Sequence, residues 1–231
     1  MPNQTAPTIC DRLSSASVSW AWYSGGWNDA LAGHPDPVFQ FHHQPFNYYL
    51  AYAPGTPARA AHLRDEAEFQ SPTASSSKSC NLKPVSFVKP IGEENEHPGY
   101  GGENAGNTHL VSLLKSIESS KCRKDTMVVV NYDEFGGQWD HVTPPGQGGV
   151  AGAHDAFGPG TRLPALVLAP HLQGSFVTDH APHDTTSILA TIEHRFHVVP
   201  LGARDASVRD LSTVFRAQEG DGGDDQQHAD S

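Results

Sequence analysis

The chain has 231 residues, 37% of them hydrophobic, and carries a formal net charge of -11. That length supports one α/β domain with a sizeable core. The negative charge excludes general electrostatic binding to a nucleic-acid backbone or an anionic membrane, so any phosphate recognition must be local.

In chain order, Thr8 is placed to cap a helix over "ICDRLSSA", and "SVSWAWY" reads as a strand rich in aromatic and β-branched residues. "GGWNDALAG" interrupts it. The aromatic segment "FQFHHQPFNYYLAY", broken by Pro45, suits an irregular element packed over a site. "TPARAAHLRDEAEFQ" has a Thr cap and a Pro at the first helical position, and predicts one helix.

A Ser-rich linker leads to the strand "PVSFVKP" and then to a glycine-rich loop, "IGEENEHPGYGGENAGN". "THLVSLLKSIES" has Leu110, Leu113, Leu114 and Ile117 at helical spacing and predicts an amphipathic helix. "TMVVVNY" and "LPALVLAP" read as apolar strands, and "DTTSILATIEHRF" as a helix capped by Asp184. Strands alternating with helices predict an α/β fold with a mainly parallel sheet, in which ligands sit beyond the carboxyl ends of the strands.

The expected organisation is one domain over residues 1–216 and an acidic disordered tail, 217–231. Cys10, Cys80 and Cys122 show no metal-binding spacing, and the odd count leaves at least one thiol unpaired. No stretch reads as a membrane span or as a basic-then-apolar leader, so no export signal is expected.

The richest chemistry follows the strand in "VVVNYDEFGGQWDHVTPP". Asp133 and Glu134 are adjacent, so both can reach one ion only if the backbone turns, and Gly136 and Gly137 supply a turn. Two carboxylates without a nearby cysteine favour magnesium, calcium or manganese, while neighbouring histidines keep zinc or iron open. The alternative is a solvated acidic turn. His42 and His43 are candidates to meet a phosphate or leaving-group oxygen, or are structural; His97 has the same two readings. Asp140 and His141 read as loop-fixing residues, and Glu193, His194 and Arg195 as the polar face of a helix.

Taken together, "YDEFGGQWDHVTPP", "FGPGTRLPALVLAP", "VTDHAPHDTTSILATIEHRF" and "PLGARD" resemble the C-terminal half of the bacterial phosphoesterase family of phospholipases C and acid phosphatases. "CDRLSSASVSWAWYSGGWNDA", "FQFHHQPFNYYLAY", "RAAHLRDEAEF" and "VSFVKPIGEENEHPGY" resemble its acid phosphatase branch, so the likeness runs from about Thr8 to Phe215. The resemblance implies an alkaline-phosphatase-like fold, incomplete in this chain. It implies a divalent metal of unknown identity, with Asp133 and Glu134 as ligands, and His42, His43 and His97 as phosphate-contacting catalytic residues.

It also implies a phosphate-ester substrate, a membrane partner only where the substrate is a lipid, and a periplasmic or extracellular setting. The family's Glu-Asn pair in an "ENRSFD"-like motif, and a serine nucleophile on a strand-to-helix turn, have no counterpart in these blocks. A missing N-terminal half of the domain is therefore expected as a partner. Cys10, Phe135 and His183 stand where the family more often has glycine, a polar residue and tyrosine. The expected function is metal-dependent hydrolysis of phosphoric esters; the alternative is an inactive module that holds a metal or phosphate.

Overall fold

A computed structural model describes residues 3–73, 79–145, 159–172, 174 and 176–217. The tail expected to be disordered lies almost wholly outside the described residues. The chain divides into two compact units, Met1–Lys124 and Asp125–Ser231. Among the described residues no helix is long and apolar enough to cross a membrane.

The first unit is built on a three-stranded parallel sheet with flanking helices. Helix α1, Ile9–Ser15, opens with a capping box: the Thr8 side chain accepts the Asp11 N–H while the Asp11 carboxylate accepts the Thr8 N–H. Strand β1, Trp20–Ser24, lies between β2, Leu63–Asp65, and β3, Val85–Lys89. It is buried at four of its five positions, as a central parallel strand covered on both faces must be. Trp20 is 1% exposed and packs against His62, Phe46 and Tyr52.

The segment read as one helix from Thr56 is divided. Thr56 caps α3, Pro57–His62, but Leu63–Asp65 then joins the sheet as β2, and α4, Glu66–Thr73, follows it. Pairing with β1 outweighs helix propensity over those three residues. The Asp65 carboxylate accepts the N–H groups of both Ala67 and Asn28. The same residue thus ends the strand, caps α4 and anchors α2, Trp27–Leu31.

After β3 a 3-10 turn, Gly92–Glu94, leads to α5, Glu103–Glu118, which starts five residues before the predicted Thr108. Leu113 and Ile117 are buried as expected, while Leu110 and Leu114 are half-buried. Cys80 and Cys122 form a disulfide, and Cys10 is a buried free thiol whose pKa burial pushes well up.

In the second unit β4, Val128–Asn131, pairs with β5, Ala165–Leu168, antiparallel. The expected mainly parallel arrangement is thus met in the first unit, and the second adds one antiparallel pair. Helix α6, Thr186–Phe196, and α7, Ala203–Ser207, follow. The N-cap of α6 is Thr185, with Asp184 accepting the Thr186 N–H one step outside it.

Glu193 is not on a polar face: it is 2% exposed and lies beside Asp205. It shares the inward face of α6 with Ser187 and Ala190 at steps of three. Burial, then the Asp205 carboxylate, pushes its pKa up to about 7 from 4.5. A carboxyl group raised in this way lends stability that is whole below its unfolded value and is lost as pH rises through the folded one. Glu193→Gln is expected to leave stability unchanged near pH 4.5 and to raise it by about 2–3 kcal/mol at pH 8. Equal urea midpoints for the two proteins at pH 8 would remove this account.

Candidate active site

The parallel register aligns Ser24 with Asp65 on one side and with Lys89 on the other, so all three strands end in one row. The segments leaving that row carry the polar groups of the first unit, as expected for a parallel sheet. Ser24 is the last residue of β1 and leads through Gly25 and Gly26 into α2, a strand-to-helix turn of the kind on which the family carries its serine nucleophile. Its hydroxyl is fully buried and unpartnered, which argues against a role as nucleophile.

His42 and His43 lie in a 3-10 turn, Phe41–His43, with their rings 4.8 Å apart; His42 is exposed and His43 buried. The His43 Nδ1–H donates to the Pro90 carbonyl at 3.1 Å, because a carbonyl can only accept. This bond ties His43 to the segment leaving β3. His97 comes three residues after the Gly92–Glu94 turn and is exposed; its Nδ1–H donates to the Pro98 carbonyl at 2.8 Å. Behind it, Glu96 holds a left-handed φ of 62° and packs on Gly106 of α5, where a Cβ would lie 2.1 Å from Glu96 Cγ. Only glycine leaves room there.

Asp133 and Glu134 follow β4 in the second unit, and both are exposed. The expected turn is present: Gly136 and Gly137 have φ of 62° and 73°, and Glu134 Oε2 accepts the Gly136 N–H at 2.7 Å. Two exposed carboxylates on a glycine-supported turn match an oxygen-ligated divalent cation in donor type. Asp140 fixes the following loop as expected, accepting from Arg162 Nη2 at 2.8 Å, Arg162 Nε at 3.0 Å and the Val142 N–H at 3.0 Å. The Arg162 hydrogen bond, foremost, holds its carboxyl well below the usual carboxylate range.

Further on, Asp179 accepts from Thr213 Oγ1 at 2.5 Å and lies 3.3 Å from His183 Nε2. Burial alone would raise its pKa, but the hydrogen bonds from Thr213, Ala181 and His183 outweigh burial and lower it. His194 meets Asp210 at 2.6 Å.

The sequence reading missed a third cluster. His109 of α5 has Nε2 2.5 Å from Glu66 Oε1 and Nδ1 3.2 Å from Glu94 Oε2. Glu66 opens α4, directly after β2, and Glu94 ends the turn after β3. The hydrogen bond to Glu66 raises the His109 pKa against the opposing effect of burial. One signal was available: His109, Leu113 and Ile117 are spaced by four, so the histidine lies on the buried stripe of its helix.

This chain belongs to the Phosphoesterase family, whose sequence pattern matches residues 1–199. It is 30% identical over 233 residues to phospholipase C B of Mycobacterium tuberculosis, a match covering 89% of this chain and 42% of that protein. It is 27% identical to the non-hemolytic phospholipase C of Burkholderia pseudomallei, over 93% of this chain and 36% of that protein. Against the non-hemolytic phospholipase C of Pseudomonas aeruginosa the values are 24%, 91% and 33%. The chain thus spans less than half the length of these relatives.

Proposed function

We propose that this chain carries part of the catalytic centre of a metal-dependent hydrolase of phosphoric esters, of the acid phosphatase or phospholipase C type. The observation that carries this reading is the family match over residues 1–199, with relatives named as phospholipases C. Asp133 and Glu134 are its proposed metal ligands, and His42, His43 and His97 its phosphate-contacting residues. A divalent cation at such carboxylates neutralises charge on phosphoryl oxygens and lowers the pKa of a coordinated hydroxyl.

Their Nδ1 bonds to backbone carbonyls orient the rings of His43 and His97, and the exposed His97 ring can donate to a phosphoryl or leaving-group oxygen. Substrates are phosphomonoesters or phospholipid head groups; the net charge of -11 disfavours nucleic acid. The Cys80–Cys122 disulfide supports an exported, oxidising setting.

The test is hydrolysis of p-nitrophenyl phosphate from acidic to neutral pH, with added magnesium, manganese, calcium or zinc, comparing the chain with Asp133→Ala. Metal-dependent turnover that falls by at least about a hundredfold in the variant would place Asp133 in a working centre and mean that a serine or threonine of this chain replaces the family nucleophile. Equal rates in both would remove Asp133 from the centre. Metal binding lost in the variant, with no turnover by either protein, would favour the inactive metal- or phosphate-binding module.

A further inference from the structure

The geometry points to a second divalent-cation site, in the first unit, in which Glu66 and His109 Nε2 bind a zinc-class ion and Glu94 orients the imidazole through Nδ1. Among the described residues, Glu66, Glu94 and His109 are the one group of three acidic, histidine or cysteine side chains whose ligand atoms lie within 4.8 Å of one another. The independent observation is on Glu66. Its side chain is 6% exposed, Oε1 faces the His109 ring, and Oε2 is buried with no hydrogen-bond partner. A buried carboxylate oxygen without a donor is costly, and a cation beside it removes that cost.

Gly25 packs closely beside this carboxylate: a Cβ there would sit 3.2 Å from Glu66 Oε2 and 2.7 Å from the Ile91 backbone nitrogen, so no larger residue fits against it.

The 2.5 Å between Glu66 Oε1 and His109 Nε2 is a hydrogen-bond separation. Two ligands on one tetrahedral zinc stand about 3.3 Å apart for bonds of about 2.0–2.1 Å, so binding requires a shift of under about 1 Å and release of the Nε2 proton. Glu94 accepts the remaining Nδ1–H, the carboxylate–histidine–metal arrangement that fixes ring and tautomer. An imidazole in the donor set favours zinc over magnesium or calcium, which prefer oxygen throughout. Both Glu66 oxygens and Nε2 leave further coordination positions for water or a phosphate oxygen, at the carboxyl end of the sheet. The ligands of this site all come from the first unit, and neither Asp133 nor Glu134 is among them.

The full chain, stripped with chelator and carrying Asp133→Ala and Glu134→Ala, is titrated calorimetrically with zinc chloride, with magnesium chloride as the control. The expected result is one zinc bound, no comparable magnesium binding, loss of the zinc site on adding Glu66→Gln or His109→Gln, and weakening by about 10–100-fold on adding Glu94→Gln. Glu94 is the most exposed of the three, so its variant decides the matter where circular dichroism shows that the buried variants have not folded. Absence of a stoichiometric zinc site, or an affinity that Glu94→Gln leaves within twofold, would overturn the proposal. His109 would then be an imidazolium paired with two carboxylates.

Discussion

Trp20→Ala is expected to destabilise the first unit by about 3–5 kcal/mol, the cost of truncating a fully packed aromatic residue. Trp20 begins the central strand, stacks on His62 at 4.0 Å between ring centroids, and meets Phe46 at 5.2 Å and Tyr52 at 5.8 Å. Its indole N–H also donates to Ser14 Oγ at 2.9 Å, so one side chain joins β1 to α1, to α3 and to the aromatic segment. The cavity would open where these elements meet, and none of them can close it alone. Since a domain is stable by only about 5–15 kcal/mol, much of the variant should be unfolded at 37 °C. Near-ultraviolet circular dichroism with urea titration checks this; a midpoint unchanged from the parent would mean that the aromatic cluster is not the core of this unit.

Reduction of the Cys80–Cys122 disulfide is expected to cost about 4 kcal/mol, the chain-entropy value for closing a loop of that length. The bond spans 42 residues and joins the approach to β3 with the turn after α5. Cys122 is fully buried whereas Cys80 is exposed, so a reductant would reach the bond from the Cys80 side. Thiol titration in denaturant should find one reactive cysteine, Cys10, before reduction and three after it. Three thiols in the oxidised protein, or an unfolding midpoint unmoved by reductant, would contradict the pairing.

Local chemistry made part of this architecture readable. Thr8 and Thr56 announce their helices because each offers a side-chain oxygen to a backbone N–H, and Gly136 and Gly137 announce their turn because few other residues hold a left-handed φ. The strand Leu63–Asp65 was hidden because its identity depends on β1 alongside it, while its own residues sit among strong helix formers. The antiparallel pairing of β4 with β5 is likewise a property of the pair. Glu193 read as surface because a buried carboxylate is rare, and only the fold puts Asp205 against it.

The acidic pair Asp133–Glu134 and the turn behind it were legible as neighbours in sequence. The Glu66, Glu94 and His109 cluster was not, because its members come from three segments and meet only when β2, β3 and α5 are in place. No short motif encodes it.

The common row in which β1, β2 and β3 end separates framework from chemistry. Residues up to Ser24, Asp65 and Lys89 are bound by strand register, whereas the chain beyond each is held by caps and side-chain contacts instead. Variation in those three exits can therefore accumulate without re-registering the sheet. Drift toward new substrates should be recorded first in the lengths and polar residues of these loops, and last in the tryptophans beneath them.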